Sequence, residues 1–132
     1  MAKNMKSIDF SAVDRPEGLW FELAHVGINT ESEEESLRVA KLLCGLFGVN
    51  LRHGNNSNFV SDMFEIMKFP MRGTHGHIAM RTNSVELTIR YFKALGFTFD
   101  ESTIKYNDDG EIRMVYMVEE IAGFAFHFNL AI

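Results

Sequence analysis

The chain contains an internal repeat. Residues 25–41, HVGINTESEEESLRVAK, align without a gap with residues 77–93, HIAMRTNSVELTIRYFK. Six of the 17 aligned positions are identical and five more carry similar side chains, whereas unrelated segments of this length share about one identical position. The repeat therefore indicates that one structural unit has been duplicated. The identical pairs are His25/His77, Thr30/Thr82, Ser32/Ser84, Glu34/Glu86, Arg38/Arg90 and Lys41/Lys93.

Each copy has the pattern of a strand followed by a helix. Alternation over residues 23–29 and 75–81 predicts two short strands, each ending at a cluster of capping residues. Thr30 or Ser32 is suited to cap the first helix, and the acidic run that follows favours the positive end of its dipole. Both helices are expected to end at a glycine. The expected buried positions are Leu37, Ala40, Leu43 or Cys44, and Phe47 in the first helix, and Val85, Ile89, Phe92 and Leu95 in the second.

Three extended runs follow each helix, at 49–53, 58–61 and 63–69 in the first copy and at 98–106, 111–118 and 123–130 in the second. NDDG, between two runs of the second copy, is a hairpin signal. Each half is therefore predicted to be a βαβββ module, and the fold class to be α+β. The expected organisation is an N-terminal arm or linker, residues 1–18, before one domain, residues 19–132, made of modules 19–70 and 71–132.

Composition narrows the classes of function. A chain of 132 residues with 46% apolar and 23% charged residues fits one compact globular domain. The net charge of -5 and the lack of a Lys/Arg-rich run argue against nucleic acid as a partner. No apolar run is long enough to span a membrane, and the N-terminus lacks the apolar core of a secretion signal. Cys44 is the single cysteine, and a buried, reduced thiol is expected there. These features favour a cytoplasmic protein that binds a small molecule.

Two tandem βαβββ modules, each with a histidine in its first strand, resemble the vicinal oxygen chelate superfamily. This superfamily includes glyoxalase, methylmalonyl-CoA epimerase, extradiol dioxygenases, and the bleomycin- and fosfomycin-resistance proteins. The resemblance covers residues 19–132. It implies a cupped, mostly antiparallel sheet with helices on its convex side and a divalent metal on its concave side. It also implies that the metal ligands come from the first and last strands of each module.

The ligand pattern of the superfamily can be matched to this sequence residue by residue. HVGI and GHIAM match the first strands at His25 and His77, and FEIM matches the last strand of the first module at Glu65. In the second module GFAFHF places His127 where glutamate is usual. The resemblance thus implies a metal site of His25, Glu65, His77 and His127. Strand alternation independently places His127 on the face opposite to the aromatic residues of the same strand.

Taken singly, each of these histidines is more often an ordinary core or surface residue than a ligand. The three histidines and Glu65 together, at equivalent places in a duplicated fold, favour a metal site. Three imidazoles and one carboxylate suit Zn, Ni, Co, Mn or Fe, and the identity of the ion is open. A pair formed by His75 and His77 is geometrically allowed but less favoured, because Leu23 occupies the place of His75 in the first module.

The resemblance implies Lewis-acid chemistry on a carbonyl or enediolate. Because His127 replaces the usual glutamate, Glu65 is the single carboxylate of the set and the candidate catalytic residue. This departure argues against glutathione-linked glyoxalase activity. Extradiol dioxygenases use two histidines and one glutamate on iron, but usually in chains with twice as many modules.

A narrower resemblance is to the glyoxalase-like domain fused to some bacterial 2-keto-3-deoxy-6-phosphogluconate aldolases, carried by HVGIN, LCGLFG, GHIAM and GFAFHF. It implies a small keto or hydroxy acid, including sugar-acid phosphates, as substrate. Arg81 shares the predicted inward face of His77 and could meet an anion; His75 and Asn129 are the other candidate substrate contacts. Arg52, Lys68 and Arg72 lie near expected rims, where solvated charges are the commoner interpretation.

Three functions follow as hypotheses. The first is a metal-dependent lyase, isomerase or epimerase. The second is a non-catalytic module that binds a small ligand or regulates, as the resistance proteins of the superfamily do. The third is a structural dimerisation domain with vestigial histidines. A homodimer is expected under the first two.

Overall fold

The structure is a computed structural model that describes residues 7–131. Residues 1–6 of the expected N-terminal arm, and residue 132, lie outside the described part. A short 3-10 turn, Phe10–Ala12, precedes eight strands and two helices. The elements are β1 (Phe21–Ile28), α1 (Glu33–Phe47), β2 (Leu51–His53), β3 (Ser57–Val60), β4 (Phe64–Met67), β5 (Gly76–Thr82), α2 (Val85–Ala94), β6 (Phe99–Tyr106), β7 (Ile112–Met117) and β8 (Phe124–Leu130).

All eight strands form one open mixed sheet in the order β2-β3-β4-β1-β5-β8-β7-β6. Each module supplies four adjacent strands, and the antiparallel pair β1 and β5 joins the two modules. The pairs β1/β4 and β5/β8 are parallel, while all other neighbours are antiparallel. The predicted α+β fold of two βαβββ modules is confirmed.

Both helices begin at a serine that caps the first turn. The Ser32 hydroxyl accepts a hydrogen bond from the Glu35 amide at 3.0 Å, and Ser84 caps α2 in the same way. The alternative cap, Thr30, instead donates to the Met67 carbonyl at 2.6 Å, which ties the end of β1 to β4. Helix α1 ends at Gly48, whose φ of 67° is the left-handed conformation that favours glycine.

The helices cover one face of the sheet, where each module has its own core. Ala40, Val60 and Ile66 are fully buried in the first module. The core of the second module consists of Val85, Phe99, Val115, Met117 and Phe128. The prediction that Phe47 is buried was wrong: it is 56% exposed. It is the last residue of α1, directly before the Gly48 cap, and its ring stacks on that of Phe64 with centroids 6.5 Å apart.

Strand β1 contains an irregularity that decides which face His25 occupies. Unbroken alternation would place Phe21 and His25 on the same face. The register between β1 and β5 shifts between Leu23 and His25, so that Ala24 is an extra residue in β1. Phe21 can therefore pack against Phe92 on the helix side, with ring centroids 5.8 Å apart, while His25 lies on the opposite side. One strand thus contributes to both the core and the open face.

The segment before β1 packs against the second module. Leu19 is 5% exposed, and the guanidinium of Arg15 lies 5.5 Å from the ring of Phe21 and 5.8 Å from that of Tyr91. Asn83 binds this segment through the Gly18 carbonyl at 2.9 Å. In the described part of the chain, neither helix has the length and apolar character needed to cross a membrane.

Candidate metal centre

The register of the strands builds two rows of residues across the face opposite to the helices. One row runs through β6, β7, β8, β5 and β1, and the other through β2, β3, β4, β1 and β5. The two modules are equivalent here, because Glu65 pairs with Gly27 and His127 pairs with Ala79, and each partner lies two residues after the histidine of its strand. The first row is Asp100, Tyr116, His127, Ala79 and His25; the second is Arg52, Phe59, Glu65, Gly27 and His77.

The four predicted ligands converge where the rows meet. One ligand atom from each of His25, His77 and His127 lies within 4.8 Å of the others. The Nε2 atoms of His25 and His77 are 3.3 Å apart. Glu65 Oε1 lies 3.0 Å from Nε2 of His77 and 3.5 Å from Nε2 of His25. All four side chains come from one chain, so this cluster requires no second subunit.

Gly27 makes room for the imidazole of His77. The two residues are direct partners across β1 and β5, and the ring of His77 lies over the glycine. A Cβ on Gly27 would lie 2.0 Å from Cε1 and 2.2 Å from Nδ1 of this ring, well inside van der Waals contact. His77 is itself only 4% exposed. A glycine at this position therefore allows the imidazole to reach the centre of the cluster.

Glu65 is held as an ionised carboxylate. Burial alone would raise its pKa, but hydrogen bonds from His25, His77 and Ser57 outweigh burial and hold the pKa well below its usual range. The Ser57 hydroxyl, which is almost fully buried, donates to Glu65 Oε2 at 2.7 Å. One carboxylate oxygen is thus fixed by Ser57, and the other faces the imidazoles.

His127 is buried and neutral. Burial, reinforced by the neighbouring imidazoles of His77 and His25, lowers the pKa of His127 to about 4. Its Nδ1 lies 3.1 Å from Asn129 Oδ1. Because an amide oxygen only accepts hydrogen bonds, this contact favours the tautomer with the proton on Nδ1 and leaves the lone pair on Nε2. Asn129, a predicted substrate contact, therefore orients His127.

Tyr116 extends the cluster toward β6. Its ring centroid is 4.7 Å from that of His127 and 6.5 Å from that of His77. Burial raises the pKa of Tyr116 to about 12, so the phenol stays protonated and can donate a hydrogen bond. The guanidinium of Arg72 lies 4.5 Å from the tyrosine ring and forms an ion pair of 3.0 Å with Asp100. Arg72 is thereby placed beside the cluster.

The other two predicted substrate contacts differ in position. Arg81 lines a hollow beside His25, and its Nε donates to Glu22 at 2.9 Å. His75 lies outside the histidine cluster: its ring packs 5.9 Å from that of Phe124, and a Cβ on Gly123 would meet it at 2.5 Å. Substrate contact stays a prediction for both residues.

The donor set fits a divalent transition ion. Two ligands at about 2.1 Å from one ion, at angles between 90° and 109°, are roughly 3.0–3.4 Å apart. The separations of His77 from His25 and from Glu65, 3.3 Å and 3.0 Å, agree with this range, and that of His25 from Glu65 is slightly longer at 3.5 Å. Three nitrogen donors and one ionised oxygen donor are typical ligands of Zn, Ni, Co, Mn or Fe. Ligation itself stays a prediction.

Sequence reasoning did not identify Ser57 and Tyr116 as residues of this centre. Both lie on interior strands, β3 and β7, whose register with their neighbours the sequence does not reveal. The similarity of Gly27 and Ala79 in the repeat was a signal for small residues beneath the imidazoles.

The open sheet of two βαβββ modules, with its helices on one face, has the predicted vicinal oxygen chelate fold. Solved structures of similar fold include two examples. A hypothetical protein from Bacillus halodurans C-125 is 17% identical, with a TM-score of 0.57 over 85% of this chain and 95% of that one. Methylmalonyl-CoA epimerase from Mycobacterium tuberculosis is 15% identical, with a TM-score of 0.53 over 83% of this chain and 87% of that one. At this identity the likeness shows the fold.

No protein-family model matches the sequence, and no curated protein matches it. The narrower resemblance to the domain fused to aldolases is therefore carried by the sequence segments alone.

Proposed function

We propose that this protein is a metal-dependent enzyme that acts on a small keto or hydroxy acid, including sugar-acid phosphates, by lyase, isomerase or epimerase chemistry. The observation that carries the proposal is the convergence of His25, His77 and His127 with Glu65 from equivalent strands of the two modules. These four residues would hold a divalent ion, which when bound would supply Lewis-acid polarisation of a substrate carbonyl or enediolate. We further propose a cytoplasmic location.

The residues of the chain have separate roles in this proposal. His25, His77 and His127 act as neutral nitrogen ligands, and Asn129 fixes the tautomer of His127. Glu65, kept ionised and restrained by Ser57, acts as the fourth ligand. The protonated phenol of Tyr116 donates a hydrogen bond to a substrate oxygen that develops negative charge.

Metal content tests this assignment. Freshly purified protein is expected to contain close to one transition-metal ion per chain by elemental analysis, and His77→Ala is expected to lose it. His75→Ala is the matched control, because this histidine is two residues away and outside the cluster, and it is expected to retain the metal. Full occupancy in His77→Ala would refute the ligand assignment, and loss in His75→Ala would favour the His75/His77 pair.

The contacts of Glu65 favour a second candidate, a non-catalytic module that binds a small ligand. Ser57 donates to one carboxylate oxygen at 2.7 Å and the other lies 3.0 Å from Nε2 of His77, so that neither oxygen is free to accept a proton from a substrate carbon. NMR of keto acids in D₂O distinguishes the two candidates. The enzyme is expected to exchange hydrogen at the carbon next to the carbonyl only when loaded with metal. The binding module would give no exchange, yet a ligand would still raise its melting temperature after chelation of the metal.

We also propose a homodimer. Sedimentation equilibrium is expected to give twice the mass of the chain, and a monomer at micromolar concentration would contradict the proposal. The centre itself does not depend on the outcome, since its four residues belong to one chain.

A further inference from the structure

A hollow of about 250 Å³ opens beside His25, on the side of the first module. Its lining includes His25 at one end, and Arg52, Phe59 and Arg81 further along. A small acid bound at the histidines would extend into this space. The groups that line the hollow are therefore placed to contact the far end of such an acid.

Arg52 has an unusual position for an exposed arginine. Its guanidinium lies 4.0 Å from the centre of the Phe59 ring, so the aromatic face supports it. Within residues 7–131, no hydrogen bond or ion pair engages its side chain. A guanidinium over an aromatic ring makes no hydrogen bond to the ring, so its N–H donors remain available to an anion. Arg52 thus offers a positioned positive charge that no carboxylate of the described chain neutralises.

The row that contains Arg52 leads directly to the centre. Arg52 pairs with Phe59, and Phe59 pairs with Glu65, on consecutive strands. Neighbouring strands are about 4.8 Å apart, so the Cα of Arg52 is roughly 10 Å from that of Glu65. The length of the arginine side chain shortens this span to one that a small acid can bridge.

The other charges of the hollow are weaker candidates. Arg81 is already bound to Glu22 and to the Leu23 carbonyl. Asp62 also lines the hollow, and its carboxylate repels an anion. Arg52 is therefore the main residue of the hollow that attracts an anionic group, and the carboxylate of Asp62 weakens this attraction.

We infer that Arg52, supported by Phe59, is the anion-recognition residue of this site, and that the ligand is an acid with a second anionic group, a carboxylate or a phosphate, at the end far from the histidines. This inference rests on the proposed function, in which the near end of the acid lies at the metal. It extends that function by requiring two anionic ends.

Two matched pairs of keto acids test the inference on Co²⁺-loaded protein, with binding followed by the visible absorption of the ion. α-Ketoglutarate and α-ketovalerate differ by a distal carboxylate, and phosphohydroxypyruvate and hydroxypyruvate differ by a distal phosphate. In at least one pair, the acid with the distal anion is expected to bind at least tenfold more tightly, as a charge-assisted hydrogen bond would give. The pair that shows the difference identifies the anion.

Variants assign this preference to a residue. Arg52→Gln is expected to reduce the ratio within the pair to less than twofold without changing the affinity for Co²⁺. Asp62→Asn is expected to increase the ratio. Arg90→Gln, an exposed arginine on α2, is the control and is expected to change neither quantity. If Arg52→Gln folds poorly, Phe59→Leu removes the support and keeps the charge, and it is expected to lower the ratio as well.

Equal binding within both pairs, or a ratio that Arg52→Gln leaves intact, would overturn the inference while the metal site stands. Absence of Co²⁺ binding would instead refute the proposed function. In that case the same pairs are compared by thermal shift on metal-free protein. There, a preference for the distal anion that disappears in Arg52→Gln supports the anion site, and equal shifts overturn it.

Discussion

Replacing Gly27 by alanine tests the centre with a single methyl group. The new Cβ would lie 2.0 Å from Cε1 of His77, whereas carbon atoms in contact are about 3.5–4.0 Å apart. The imidazole would therefore have to retreat by roughly 1.5 Å. Metal–ligand distances tolerate only about 0.2 Å, so the ring can no longer bind an ion at the position shared with His25 and Glu65.

The expected loss of metal affinity is more than 100-fold. Loss of a residue that only orients a ligand costs about 10–100-fold, and displacement of a ligand costs more. The fold is expected to persist, because Gly27 lies in β1 without a positive φ and alanine is favoured over glycine within a strand by roughly 0.5–1 kcal/mol. This gain in the free energy of unfolding partly offsets the free energy needed to displace the His77 ring.

Competition with a chromophoric chelator measures the affinity, and the thermal midpoint of the metal-free protein measures the fold. Gly45→Ala is the matched control, because a Cβ there would meet nothing within 4 Å and α1 favours alanine. A Gly27→Ala protein that binds metal as tightly as the wild type would refute both the position of the His77 ring and its role as a ligand.

Two further changes test the surroundings of the centre and the acid stability of the fold. Ser57→Ala removes the 2.7 Å hydrogen bond to Glu65 and is expected to lower metal affinity about 10–100-fold in the same chelator assay; unchanged affinity would show that Ser57 does not orient the carboxylate. Glu119 accepts hydrogen bonds from the amide and hydroxyl of Thr98; burial opposes its ionisation, but these bonds prevail and lower its pKa. Because the pKa of Glu119 is lower in the folded than in the unfolded state, Glu119 stabilises the fold fully above its unfolded pKa. This contribution is lost as pH falls through the folded pKa. Glu119→Ala should therefore lower the free energy of unfolding by about 1–3 kcal/mol at neutral pH. Below about pH 5, acidification should reduce the free energy of unfolding of this variant less than that of the wild type, as measured in urea melts with Glu101→Ala as control. Equal reductions in all three proteins would contradict the assignment.

The repeat, together with the extended runs that follow each helix, was sufficient to predict the order of strands and helices. Hydrophobic periodicity and capping residues act locally, so segments such as 25–41 and 77–93 carry their own structural signals. The resemblance to the vicinal oxygen chelate superfamily then implied a topology in which the first and last strands of each module bring the ligands together. The position of Glu65 beside two of the histidines follows from that topology.

The register between strands could not be predicted in the same way. The extra residue at Ala24 shifts the faces of β1, and nothing in its composition distinguishes it from a regular strand residue. Arg81 was expected to share the inward face of His77, and its contact with a substrate stays a prediction; the pairing with Glu22, which the shifted register places opposite it, could not be foreseen. The involvement of Tyr116 also depends on pairing across β7 and β8, since long-range pairing leaves no local pattern.

The equivalence of Glu65 and His127 has a consequence for the symmetry of the centre. Two identical copies of the first module would present two imidazoles and two carboxylates, and two copies of the second would present four imidazoles. Three imidazoles and one carboxylate can therefore come together only in a protein whose two modules have diverged. With a divalent ion, this uneven set would retain one unit of positive charge, which the anionic group at the near end of the ligand would balance.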